Sequence, residues 1–85
     1  ADALGAELAF NQGVQLVNEG RFGDAVTRFE AAIRARADQP VYHAFLGHAL
    51  HRAGGRDADA RRELERAVSL DPHLPEGHHF LGRFA

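Results

Sequence analysis

Phe45-Leu46-Gly47 and Phe80-Leu81-Gly82 are one phrase written twice, and Phe10-Asn11-Gln12-Gly13 is a looser copy of it. Gly13, Gly47 and Gly82 stand 34 and 35 residues apart. A recurrence at this interval marks a stacked repeat, whose single unit cannot cover its own apolar side. In such a chain each unit touches chiefly its neighbours, and the pile presents a long surface instead of an enclosed cleft. Binding is therefore the expected kind of function.

The flanking residues divide the chain into helical hairpins. In the first, Asp2 is the expected helix cap. Leu4, Leu8, Gln12 and Leu16 recur at helical spacing, with Ala9 and Gly13 beside them, and mark the apolar side. Asn18-Glu19-Gly20-Arg21 breaks the helix, and Gly20 suits the left-handed residue that ends it. A second helix is expected from about Phe22 to Ala35, with Phe22, Ala25, Val26, Phe29, Ala32 and Ile33 as its stripe.

Pro40 is placed to open a third helix reaching Ala53, with Leu46, Gly47, Leu50 and Ala53 facing inward. Gly54-Gly55-Arg56-Asp57 is the next turn, where one extra residue is expected to lengthen the interval. A fourth helix spans about Asp57 to Leu70, with Ala60, Leu64, Ala67 and Val68 buried. Arg61, Arg62, Glu63, Glu65 and Arg66 alternate in sign as an exposed face does. Asp71-Pro72 and Pro75 close this hairpin and start a fifth helix from Glu76 to Ala85.

These residues resemble the tetratricopeptide repeat. His43, Leu46, Gly47, Leu50, Ala60, Leu64 and Pro72 follow the family pattern in order. Ala9, Gln12, Gly13, Leu16, Ala25 and Phe29 form the first copy, and His78, Leu81, Gly82 and Ala85 a partial third. The resemblance implies an all-α fold: an α-solenoid of antiparallel helix hairpins in one domain, residues 1–85. Repeat one covers about 6–39 and repeat two about 40–74. A truncated third repeat or capping helix covers about 75–85. His43 and His78 depart from the pattern where tryptophan or leucine is usual, Gln12 replaces a leucine, and Asp57 stands where a turn aromatic is common.

The resemblance also implies a concave groove lined by the first helix of each repeat, where peptides bind. It places Asn11, Val14 and Asn18 there from the first repeat, Phe45, His48 and Arg52 from the second, and His79, Phe80 and Arg83 from the third. Glu7, Val41, Ala44 and Glu76 map to the same side. Phe45 and Phe80 on an open face suggest an apolar anchor point. Arg52 and Arg83 beside them suit an acidic partner. Chaperone-binding members grip a terminal carboxylate with lysines and asparagines. This chain has no lysine, and Val14 and Phe45 fill places where polar clamp residues are expected, so that activity is excluded.

Composition narrows the classes further. The net charge is −2, with a pI near 6.3, and a nucleic-acid binder would show a basic excess. All ten cationic residues are arginine, which fits the coding bias of a GC-rich, bacterial-type genome. No apolar run approaches the ~20 residues that span a bilayer, so no membrane insertion is expected. Cysteine is absent, which removes thiolate chemistry and favours the cytoplasm as compartment. Methionine is absent too, so a piece of a longer protein is expected.

Six histidines raise the question of a metal, but His48 with His51 supplies two ligands at most, and zinc requires three or four that converge. Ser69 is the single serine, without a histidine–acid pair at a nucleophile's spacing. The sequence thus predicts no enzyme, no cofactor and no metal. The alternatives to peptide binding are a structural oligomerisation segment, self-associating through the last helix at Leu81 and Phe84, and the non-catalytic arm of an enzyme.

Overall fold

Apolar side chains spaced at helical intervals, broken at glycine and proline, give five helices in the computed structural model. It describes residues 3–84. These are α1 (Ala3–Asn18), α2 (Phe22–Ala35), α3 (Pro40–Ala53), α4 (Asp57–Leu70) and α5 (Pro75–Phe84), with no strand among the described residues. Asp2 and Ala85 lie outside that range, and the side chain of Phe84 is likewise outside the described set. The helices pack as consecutive pairs, α1 on α2 and α3 on α4. α2 joins the pairs by packing on α3, and α5 rests on both α3 and α4.

The turns end the helices for local reasons. Gly20 adopts φ 78°, and its N–H donates to Val17 O (3.0 Å) while Arg21 N–H donates to Leu16 O (2.8 Å). This double bond pattern satisfies carbonyls that the end of α1 leaves free. The second turn uses two left-handed glycines, Gly54 (φ 87°) and Gly55 (φ 79°). It is no longer than the first: three residues separate the helices in both, and the extra residue extends α3 past Gly47 to Ala53. Pro40 and Pro75 each stand first in their helix, where a missing N–H costs no intrahelical bond.

Small residues set the closeness of each pair. A Cβ on Gly47 would sit 2.7 Å from Leu64 Cγ and 2.9 Å from the carbonyl oxygen of Ala60, so α3 touches α4 nearly backbone to backbone. A Cβ on Gly13 would meet the Phe29 ring at 2.5 Å. Phe29 and Leu64 are the large side chains sealed completely, at 0% and 1% exposure. Gly82 repeats the motif without the contact: nothing lies within 4 Å of where its Cβ would be.

Several expected positions are corrected. On α1 the buried line is Ala6, Ala9 and Gly13, whereas Leu4 and Leu8 are 81% and 60% exposed. Both leucines lie on a side that no described helix covers, and periodicity alone does not say on which side a neighbour will be. Ala53 is exposed, because the last turn of α3 runs beyond α4. Ala44 is fully buried instead of lining an open groove. Glu63 leaves the exposed charged face of α4 and is drawn half inside by His43, which is 6% exposed.

Candidate functional site

The side chains of α1, α3 and α5 converge on one aromatic face. Phe10 stacks on Tyr42 (centroids 4.9 Å apart) and meets Phe45 edge-on at 5.3 Å. Phe45 continues to Phe29 at 5.7 Å and to Phe80 edge-on at 5.4 Å. Phe80 then stacks nearly parallel on His48, 4.3 Å away and tilted by only 11°. His48 in turn meets the edge of Phe22 at 6.3 Å. Offset and edge contacts of this kind add about 0.5–1.5 kcal/mol per pair beyond the burial of area.

Phe45 and Phe80 are thus half-buried members of this run, with one side in the core and one toward solvent. That differs from the open placement expected of them. An aromatic that stands alone in a sequence reads as free surface, while its partners here come from 35 residues away in either direction.

Charge collects at one end of the run. The Arg52 guanidinium lies over the Phe22 ring, 4.9 Å from its centroid. Arg83 sits one helical turn beyond Phe80 on α5, with His79 against Phe80 at 5.6 Å. Burial, then the charges of Arg52 and Arg83, push the His48 ring down to about 4 from its ordinary 6.5, with smaller contributions from His51 and His79. His48 is therefore a neutral imidazole at physiological pH, with the charges of Arg52 and Arg83 opposing its protonation.

Of the residues expected in the groove, Phe45, His48, Arg52, His79, Phe80 and Arg83 are brought together. Val14 is half-buried and packs against the core cluster below Phe45. Asn11 and Asn18 are exposed on α1, sharing a helical face with Val14 by spacing. Two contributors were not expected. Phe22, read as part of the α2 stripe, supplies the ring beneath Arg52, and Phe10 bridges Tyr42 to Phe45. The signal for Phe22 was its place just after the turn, where the other repeat carries Asp57.

The other histidines have separate roles. His43 is buried in the α3–α4 pair, His51 Nδ1 lies 3.4 Å from Asp57 Oδ1, and His78 Nε2 bonds the carbonyl of Pro72. Among the described residues no three His, Asp or Glu side chains are grouped to hold a metal ion. Open depressions occur elsewhere, one lined by Gln12, Gln15, Leu16, Glu19, Arg21 and Arg28 and another beside His43 and Glu63. Both mix charges of either sign. Among the described residues no helix is long and apolar enough to cross a membrane.

No family model matches the chain, and no solved structure matches it significantly. It is similar to a segment of the cytochrome c-type biogenesis protein CycH of Bradyrhizobium diazoefficiens, with 37% identity over 65 residues. That segment corresponds to 74% of this chain and 18% of CycH. It is also 37% identical over 62 residues to cellulose synthase operon protein C of Escherichia coli, covering 73% of this chain and 5% of that protein. The chain spans less than a fifth of the length of either relative.

Proposed function

We propose that this chain is a tetratricopeptide-type module that binds a segment of another protein across the aromatic face. The ligand class is a peptide with an apolar side chain and a carboxylate. The apolar group rests on Phe45 and Phe80, and the carboxylate is received by Arg52 and Arg83. The observation carrying this reading is the pair of guanidiniums flanking a neutral His48–Phe80 stack, neither of them ion-paired among the described residues. Arg21 and Arg62, by contrast, are engaged, Arg21 with Asp24 at 2.7 Å and Arg62 with Asp59 at 2.8 Å. Arg52 is held in place by Phe22, so its donors are aimed before a ligand arrives.

Similarity to short segments of two much longer proteins, one named for cytochrome c biogenesis and one for a cellulose synthase operon, supports a reusable interaction unit. On this reading the chain has no catalytic role of its own, and the reactions of any parent protein belong to other segments.

Peptides selected from a random displayed library on the intact chain, then titrated by calorimetry, test the proposal. Acidic binders should bind Arg52→Ala about 10- to 100-fold more weakly, the effect of losing a charge-assisted hydrogen bond. Equal affinity of every acidic binder for the native and Arg52→Ala chains would remove the carboxylate from the reading.

The exposed Leu4 and Leu8 favour a second reading, an assembly segment. It predicts self-association, and a light-scattering mass that stays monomeric at high concentration counts against it.

A further inference from the structure

His43 lies on the side of α3 away from the aromatic run, and each of its ring nitrogens faces an acceptor. Nε2 is 2.7 Å from the carbonyl oxygen of Ala37, and Nδ1 is 2.7 Å from Glu63 Oε1. A carbonyl can only accept, so Nε2 carries hydrogen. A neutral ring would then point a bare Nδ1 lone pair at a carboxylate oxygen, two acceptors at hydrogen-bonding distance. One added proton removes the conflict. An imidazole is a much stronger base than a carboxylate, so the added proton resides on the ring.

We propose that His43 and Glu63 form a proton-dependent tie between α3 and α4, the two helices of the second hairpin, closed while the imidazole carries both hydrogens and loosened when rising pH removes one. Ala37 belongs to the segment that ends the first hairpin, and Glu63 to the outer helix of the second. The same ring therefore holds α3 to both.

The surrounding charges are mixed. Arg66 on α4 opposes protonation of the ring. Glu30 and Arg34 of α2 line the depression that His43 and Glu63 share, and Arg36 and Asp38 in the α2–α3 segment pair with each other at 3.6 Å. The hydrogen bond to Glu63 outweighs the burial and holds His43 above its ordinary 6.5. The sign follows by linkage. A group whose affinity for protons is raised by folding contributes stability that is complete below about 6.5, and that contribution fades as pH rises through the native value. His48 acts in a different window, below 6.5, so the two contributions separate.

Long-range proton–nitrogen NMR of the histidine rings in the intact chain decides the matter. Below pH 6.5 both His43 nitrogens should be protonated, and the ring should titrate above 6.5. Glu63→Gln should bring that midpoint down and flatten the loss of thermal stability as pH rises above about 6.5. A bare Nδ1 below pH 6.5 in the native chain overturns the proposal, as does a midpoint that Glu63→Gln leaves in place. The native spectrum alone suffices if the variant does not fold.

Discussion

The two hairpins share one plan and fill it with different chemistry. Phe29 in the first and Leu64 in the second occupy the same sealed place, each against the glycine of the facing helix. The first hairpin then continues into aromatic contacts, with Phe29 touching both Phe10 and Phe45. In the second, polar groups occupy places that are apolar in the first: His43 and His48 stand 34 residues after Ala9 and Val14. The first hairpin is thus a packed aromatic block without histidine, and the second carries His43, His48 and His51. What the pairs have in common is the close helix approach, so that is what the repeat requires, and the rest can vary.

The harshest way to break the comparison is to empty the sealed places. Phe29→Ala should cost about 3–5 kcal/mol and Leu64→Ala about 2–5 kcal/mol. A domain of this length holds only about 4–13 kcal/mol in all. Urea denaturation of Phe29→Ala should therefore show a midpoint far below native at 25 °C, and a midpoint close to native would mean that the aromatic block is not the main support.

A smaller test compares glycines. Gly47→Ala presses a methyl group onto the Ala60 carbonyl and should lose roughly 1–3 kcal/mol, despite the better helix propensity of alanine. Gly82→Ala meets no neighbour and should be neutral or gain up to about 1 kcal/mol. Equal effects on the denaturation midpoint would show that the glycine is kept for some reason other than close approach.

The mildest test assigns the pH response to its hairpin. Folding lowers the proton affinity of His48, so its contribution is present above 6.5 and is lost as pH falls toward about 4. His48→Gln should lose less stability than the native chain across that window. Thermal scans with indistinguishable pH slopes would place the acid sensitivity elsewhere.

Helix spans were readable in the sequence because their ends carry local chemistry. α2 and α4 fall at Phe22–Ala35 and Asp57–Leu70 as expected, and proline and glycine mark the remaining borders. Orientation was less readable on α1, where leucines and alanines form two apolar sides. Leu8 corresponds by repeat to Tyr42, which is 6% exposed because the first hairpin covers it, while Leu8 has no such cover among the described residues.

The groove residues came from the resemblance, and six of the nine converge. Their mutual contacts were hidden because they join α3 to α5. The link from His43 to Glu63 was hidden for the same reason: 20 residues separate the partners, and each has an ordinary role when viewed alone.

The double-glycine corner at Gly54 and Gly55 has a consequence for how the molecule tolerates change. Both residues take backbone angles that other side chains resist, yet no atom beyond their chain neighbours lies near where a Cβ would be. α3 and α4 are aligned at Gly47 and Leu64, well away from that corner, so insertions there should leave the close packing of the pair in place. It is the point at which this small scaffold can lengthen while its two helices stay in register.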